Sequence, residues 1–142
     1  MTARNDPRIS AMEAAMQARA REAVLQGARW LDAAEMAAHA PPGSPPPDPV
    51  AWQRAGQIYA LALDGRDHFP FYGMDPRGWQ PLPALQDVMV ILSATQDAWG
   101  MAVWFEAVNS YLGGARPREL LALDPARVMW AARQSVMPVD HA

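Results

Sequence analysis

The stretch Asp97–Ala126, DAWGMAVWFEAVNSYLGGARPRELLALDPA, decides the fold of this 142-residue chain. Its first half is apolar on nearly every side of a helix, which indicates a helix in a core or an interface. Asn109–Ser110 and Gly113–Gly114 then end apolar segments, and Pro117 and Pro125 stand where new helices can begin. The pattern predicts short helices joined by tight turns, with the last helix extending to about Gln134.

The N-terminal segment carries a helical period of its own. Apolar side chains recur every three or four residues between Arg8 and Trp30 in one narrow stripe: Ile9, Met12, Met16, Ala20 and Val24. The stripe is too narrow for a fully buried helix. We therefore expect this helix to clasp the body of the protein or a second copy of the chain, which makes a homo-oligomer the expected state.

Two short helices are predicted after it. Asp32 and Glu35 have the spacing of a capping box, so a helix is expected over 33–40. Asp48 then reads as an N-cap for a second helix over 50–55, which Gly56 closes. The proline-rich segment between the two helices, residues 41–49, is incompatible with helix or central strand and is expected to be extended.

A β-hairpin is predicted next. Residues 57–63 alternate like a strand, and Asp64–Gly65 is a dipeptide typical of a two-residue hairpin turn. The returning strand contains Pro70, which favours a sheet edge. A buried helix is expected to begin at Pro83, and Asp97 is expected to cap the following one.

The expected fold is mainly α. A single N-terminal helix (1–29) precedes a helix-turn-helix-like module with one hairpin wing (30–80), and a small C-terminal helical bundle (81–142) completes the chain. In this layout Gln53 and Arg54 on the second short helix would contact DNA bases, and Arg66 and His68 on the wing would contact its backbone.

Composition excludes several classes of protein. There is no cysteine, which excludes disulfides and cysteine metal sites. No window approaches the roughly 20 apolar residues of a membrane span, and the first thirty residues lack the apolar core of a signal peptide. We expect a soluble cytoplasmic protein. The net charge of −3 argues against a dedicated nucleic-acid-binding domain.

Catalytic chemistry has few candidates in this sequence. The three histidines, at 39, 68 and 141, are far apart, and no phosphate loop, HExxH or EF-hand pattern is present. Asp64, Asp67 and Asp75 read as turn formers. We therefore expect no enzyme, and neither a metal, a cofactor nor a small-molecule substrate. Side chains typical of binding hot spots are more frequent, namely Trp104, Phe105, Tyr111, Arg116 and Trp130; the alternative is that these aromatic rings fill the core.

The segment WFEAVNSYLGGARPRELLALDPARVMWAA, residues 104–132, resembles the C-terminal toxin-binding domain of the Xre/MbcA/ParS-like antitoxins. The matching features are an apolar helix, a turn ending in Gly-Gly, an Arg-Pro pair, a Leu-Leu pair and a final helix. Upstream, WLDAAEMAAHA, WQRAGQIYAL and HFPFYGMDPRGWQPLPALQDVM are similar to the helix-turn-helix-like part of some members. The resemblance covers residues 30–133.

This resemblance implies a function. Such antitoxins bind and neutralise a toxin with a RES domain, which consumes NAD⁺, and they commonly repress their own operon by binding operator DNA. The partner-binding residues implied are Trp104, Asn109, Leu112, Gly113, Gly114, Arg116, Pro117, Leu120 and Leu121. The proline-rich insert departs from the family pattern, as does the short tail after Ser135. The alternative is a DNA-binding transcriptional regulator with no toxin partner.

Overall fold

The computed structural model describes residues 6–137. Within that range the helices are α1 Pro7–Gly27, α2 Ala33–His39, α3 Pro49–Arg54, α4 Pro83–Leu92, α5 Ala98–Glu106, α6 Pro117–Leu120 and α7 Pro125–Val136. Three short strands, β1 Trp30–Leu31, β2 Leu61–Leu63 and β3 Arg66–Pro70, form one antiparallel sheet. Two 3₁₀ turns lie at Phe71–Gly73 and Ser110–Leu112. The prediction of a mainly helical protein with a small hairpin module is confirmed.

The sheet differs from the predicted single hairpin. Its strand order is β1-β3-β2, so β3 is the central strand and the expectation that Pro70 marks an edge is wrong. Pro70 is tolerated because it is the last residue of β3, where it faces Trp30 across the sheet. Next to it the Phe71 N–H donates to the Arg29 carbonyl at 2.9 Å. This pairing also ends α1 at Gly27 and places Trp30 in a strand instead of the predicted helix.

The hairpin turn is confirmed. Asp64 and Gly65 both have positive φ, at 52° and 76°, as a two-residue turn of this kind requires. The strand before the turn is shorter than predicted, since only Leu61–Leu63 pair with β3. Ile58 and Tyr59 lie before the paired segment, and both are buried in the core.

The helix caps follow the sequence closely. Asp32 and Glu35 form the reciprocal capping box at the start of α2, with bonds of 2.8 and 3.1 Å. The Asp48 carboxylate accepts the Ala51 N–H at the start of α3, and Gly56 follows that helix with φ 73°. The element order α1-β1-α2-α3-β2-β3 is that of a winged helix-turn-helix, with the proline-rich segment as the connection between α2 and α3.

The predicted helix ends and starts in the C-terminal part are also confirmed. Gly113 and Gly114 have φ of 66° and 88°, and Pro117 and Pro125 begin α6 and α7. Helix α7 continues through Val136, two residues beyond the predicted end, so Ser135 belongs to the helix and not to a loose tail. The rest of the predicted tail, residues 138–142, lies outside the described range.

One continuous core joins the module to the C-terminal helices. Phe105 of α5 is fully buried, and the Tyr59 ring stacks on it with centroids 6.2 Å apart. Tyr72 contacts the same ring at 5.3 Å. Leu85 of α4 and Val128 of α7 are also fully inaccessible to solvent. Among the helices of residues 6–137, none combines the length and the apolar character needed to cross a bilayer.

Candidate partner-binding surface

Two exposed aromatic side chains meet at the C-terminal end of the molecule. Tyr111 and Trp130 are each 46 % exposed, and their rings contact edge to face with centroids 5.5 Å apart. The Asn109 side chain holds the turn before Tyr111 by accepting the Tyr111 N–H at 2.9 Å. Because Gly113 then reverses the chain in the left-handed conformation, Tyr111 is held against α7.

Three exposed or half-exposed arginines lie near these rings in the sequence, two of them on the same helix as Trp130. Arg127 and Arg133 lie one helical turn before and after Trp130, so the three side chains share a face of α7. Arg116 follows the Gly-Gly turn and forms an exposed ion pair with Glu119 at 3.3 Å. We call Tyr111, Trp130, Arg116, Arg127 and Arg133 the aromatic–arginine face.

The electrostatics of this region differ from those of the whole molecule. Residues 113–137 hold four arginines and two acidic residues, whereas the whole chain has a net charge of −3. The acidic residues, Glu119 and Asp124, lie opposite Arg116 and Arg127 at 3.3 and 4.0 Å, in pairs that are about half exposed. Such exposed pairs are weak and exchange readily with a partner's carboxylates. Arg118 is paired with Glu106 outside this segment, so the face is only weakly basic: its three arginines exceed Glu119 and Asp124 by one charge.

The partner-binding residues implied by the resemblance divide into two groups. Leu112, Pro117 and Leu121 are buried and support the face from below. Asn109 acts as a cap. The remaining residues reach solvent at least in part: Trp104, Gly113, Gly114, Arg116 and Leu120. Trp104 also donates its indole N–H to Ser135 Oγ at 2.9 Å, which joins α5 to the end of α7.

The two arginines of α7 in this face are absent from the residues that the sequence singled out. The signal was present, since Arg127 and Arg133 each stand three residues from Trp130. This spacing indicates a shared surface only if Trp130 is exposed. If Trp130 were buried, the two arginines would flank a residue of the core. The resemblance motifs are weighted toward glycine, proline and leucine, which fix the backbone and the core.

An ion pair anchors the face to the rest of the fold. The Arg118 guanidinium of α6 binds the Glu106 carboxylate at the end of α5, and the side chains are only 22 % and 12 % exposed. The same carboxylate lies against Gly27 at the end of α1, where an added Cβ would overlap it. Glu106 thus joins α5 to α6 and lies close to α1 at Gly27, where a larger residue would displace its carboxylate.

Two tyrosines extend this junction. The Tyr59 and Tyr72 hydroxyls are hydrogen-bonded to each other. Burial raises the pKa of Tyr59 above its usual value, and burial, followed by the neighbouring Tyr59 and the Glu106 charge, raises the pKa of Tyr72. Both phenols are therefore neutral at physiological pH and act as hydrogen-bonding parts of the core.

The residues predicted to contact DNA lie on the opposite module. Gln53 and Arg54 are exposed on α3. Arg66 bonds to Asp32 at 3.3 Å, and His68 Nδ1 lies 3.0 Å from the Arg66 carbonyl oxygen. Residues 30–73 contain five acidic residues and two arginines, so this surface is net acidic. Of these four side chains only Arg54 and Arg66 carry a fixed positive charge, and Arg66 is paired with Asp32.

A cluster that the sequence did not single out lies beside the wing. One ligand atom from each of Asp32, Glu35 and His68 falls within 4.8 Å of the others. Both Asp32 oxygens are engaged, one by the Glu35 N–H and the other by Arg66, and Glu35 Oε1 accepts the Asp32 N–H. Helix capping and the ion pair account for these positions.

A groove of about 540 Å³ lies between α1 and α5. Trp99 and Trp104 line it from α5, and Ala20 and Arg21 line it from α1. The Arg21 guanidinium lies 4.8 Å from the centroid of the Trp99 ring, which closes one wall by a cation–π contact.

Comparison with known proteins gave no relative. No protein-family model, no curated protein and no solved structure matches this chain.

Proposed function

We propose that this protein is antitoxin-like and neutralises a RES-domain, NAD⁺-consuming toxin by binding to it. The observation that carries the proposal is the aromatic–arginine face. Trp, Tyr and Arg dominate the binding energy of protein interfaces, because they combine large apolar area with few rotatable bonds or with a rigid set of donors. Here Trp130 and Tyr111 are held in mutual contact and remain open to solvent.

Neutralisation on this proposal is by occlusion. Trp130 and Tyr111 would enter an apolar depression on the toxin and supply most of the affinity. Arg116, Arg127 and Arg133 would pair with carboxylates around that depression and orient the two proteins during encounter. No bond is made or broken by the antitoxin, and the toxin is silenced because its surface is covered.

The support beneath the face favours a rigid binding surface. Leu121 is 1 % exposed and Leu112 is 3 % exposed, so both belong to the core that carries α6 and α7. The Arg118–Glu106 ion pair fixes α6 from the other side. A surface that is ordered before binding loses less conformational entropy on association, which raises affinity.

Co-expression tests the proposal. A RES-domain toxin encoded next to this protein would be expressed in bacteria with and without it, and growth and cellular NAD⁺ would be measured. We expect wild-type protein to restore both, and Trp130→Ala to restore them poorly at equal soluble abundance. Continued NAD⁺ loss in the presence of abundant wild-type protein would contradict the proposal.

DNA binding is a second candidate, either as autoregulation of the same operon or as the sole role of a regulator without a toxin. The observation in its favour is the winged helix-turn-helix order with Gln53 and Arg54 exposed on α3. The net acidic character of residues 30–73 weighs against strong binding, because phosphate neutralisation supplies much of the affinity for DNA.

A gel-shift on the region upstream of the gene separates the two candidates. DNA binding through α3 predicts a shift at low salt that weakens steeply as salt rises, is reduced by Arg54→Ala and is unaffected by Trp130→Ala. The absence of any shift at low salt would remove this candidate and leave toxin binding untouched.

A further inference from the structure

The outer half of α1 has no partner among the described residues. Val24 is the only buried residue of the helix, at 1 % exposure. Nearer the N-terminus, Ile9, Met12 and Met16 are 55 to 64 % exposed, although they belong to the same stripe as Val24. The apolar stripe therefore continues past the body of the protein into solvent, where three large side chains stand on one face.

The stripe is complementary to itself when reversed. Met12 and Ala20 stand four residues before and after Met16, and Ile9 and Ala23 stand seven before and after it. Offsets of four and seven return to the same face of an α-helix. An antiparallel second α1 would then place Met12 against Ala20, Ile9 against Ala23, and Met16 against its own counterpart. Met12 and Ile9 then each meet a small side chain, and Met16 is the one large side chain that meets its equal.

We propose that α1 is a dimerisation helix that pairs antiparallel with α1 of a second copy, around a two-fold axis at Met16. Every contact then occurs twice, as in an isologous interface. Volume complementarity comes from methionine and isoleucine facing alanine, an arrangement that lets the two helices approach closely and fill the space between them.

Charge complementarity agrees with the antiparallel direction. Arg8 and Glu22 lie on the same flank of the stripe, eight residues before and six residues after Met16. In the antiparallel pair Arg8 of one copy lies within a helical turn of Glu22 of the second copy, and the symmetry repeats the pair. The opposed helix dipoles also favour the antiparallel arrangement.

The helix is folded before it pairs. The Asp6 carboxylate caps its first turn by accepting the Arg8 N–H at 2.9 Å. At the other end the Trp30 indole N–H donates to the Val24 carbonyl at 3.0 Å, which fixes α1 to the sheet. Association therefore does not carry the cost of nucleating a helix, which limits short helices in isolation.

Sedimentation velocity on the full chain across a range of concentrations tests the proposal. We expect a wild-type dimer that dissociates on dilution, and a monomer for Met16→Glu at every concentration tested. Ala18→Glu is the matched control, because Ala18 is exposed on the opposite side of α1 and should leave the dimer intact. Unchanged far-UV circular dichroism would verify that both variants keep the fold.

A charge exchange tests the direction of pairing. Arg8→Glu alone should raise the dissociation constant several-fold, and the double variant Arg8→Glu/Glu22→Arg should return it close to the wild-type value. The proposal is overturned by a wild-type protein that stays monomeric, by a dimer that Met16→Glu leaves intact, or by a double variant as weak as the single one.

Cross-linking locates the axis. The chain has no cysteine, so Met16→Cys introduces a single thiol. Two such thiols at a two-fold axis are close enough to form a disulfide under mild oxidation, whereas those of Ala18→Cys are not. Rapid covalent dimer formation by Met16→Cys but not by Ala18→Cys is expected, and equal rates would contradict the axis at Met16.

Discussion

The wing side of the module and the aromatic–arginine face are both exposed, and they differ in how their arginines are used. On the wing, Arg66 bonds to Asp32, a residue whose side chain is only 12 % exposed and which also caps α2. On the C-terminal face, the arginines flank exposed rings and pair at most with half-exposed carboxylates. The wing arginine is paired with a nearly buried carboxylate of its own module, although the Arg66 side chain itself is 70 % exposed. On the proposed function, the arginines of the aromatic–arginine face would pair with carboxylates of a partner.

This difference shows that the order of the helices and strands does not by itself indicate which surface binds a partner. The module has the order of a winged helix-turn-helix, yet its side chains give it a net acidic surface. The C-terminal helices have a plain arrangement, yet they present the residue types that dominate protein interfaces. Function is therefore better inferred from the chemistry of a surface than from the order of its helices and strands.

The largest expected effect tests whether the two regions are one cooperative unit. Phe105 is fully buried and its ring contacts Tyr59 and Tyr72 of the module. Replacing a buried phenylalanine by alanine removes apolar contacts and leaves a cavity, so Phe105→Ala should lower the free energy of unfolding by about 3–5 kcal/mol. Urea unfolding followed by tryptophan fluorescence and by circular dichroism should give coincident transitions.

The control for this variant is Val90→Ala, at a residue that is 68 % exposed on α4 and should have a small effect. Two separate transitions would show that the module and the C-terminal helices unfold independently, as two domains.

The next effect concerns the ion pair beneath the face. Glu106→Gln keeps the shape of the side chain but leaves the Arg118 guanidinium partly buried without its carboxylate. The expected loss of stability is about 3 kcal/mol, at the low end for buried pairs because Arg118 remains 22 % exposed. Glu119→Gln, in an exposed pair with Arg116, is the matched control and should change stability by less than about 1 kcal/mol. Equal effects would mean that the Glu106 pair anchors nothing.

Alkaline pH should weaken the fold through the module. Burial raises the pKa of Tyr59 and Tyr72 in the folded protein, so the unfolded chain releases these protons first as pH rises. Their contribution to stability is complete below about pH 10 and then falls by up to about 1.4 kcal/mol per pH unit for each tyrosine. Urea unfolding at pH 9, 10 and 11 measures this slope. The Tyr59→Phe/Tyr72→Phe variant should have a smaller slope. An unchanged slope would mean that these two tyrosines are not the cause of the loss of stability.

The smallest effect concerns the rim of the face. Arg116→Ala removes an exposed ion pair, so the free energy of unfolding should change by less than about 1 kcal/mol. If Arg116 steers the toxin, the variant should slow association a few-fold at low salt while dissociation changes little. Stopped-flow measurement at two salt concentrations checks this. A large loss of stability would instead make Arg116 a structural residue.

Local signals in the sequence predicted the helix boundaries well. Asp32 with Glu35, Asp48, the Gly113–Gly114 turn and Pro117 each act through bonds within a few residues, so their role is visible without the fold. The central position of β3 was not predictable in this way. It depends on Trp30 and Leu31 pairing with residues about 40 positions later, and a two-residue strand leaves no period in the sequence.

The site was predictable only in part for a related reason. The helical period of the apolar residues does not show which of them are buried by the rest of the chain. Leu121 and Leu123 look equivalent in the sequence, yet one is 1 % and the other 80 % exposed. Tyr111 and Trp130 were recognised as residues of the interface type, and their exposure and mutual contact required the packing of the 3₁₀ turn on α7.

The central claim is that the aromatic–arginine face, and not the α3 surface, binds the toxin. Isothermal titration of the RES-domain toxin with wild-type protein, Trp130→Ala and Gln53→Ala tests it directly. We predict a dissociation constant at least about tenfold higher for Trp130→Ala, which corresponds to roughly 1.4 kcal/mol, with Gln53→Ala unchanged and all three proteins folded at the temperature of the titration. Wild-type affinity for Trp130→Ala together with a loss for Gln53→Ala would contradict the claim.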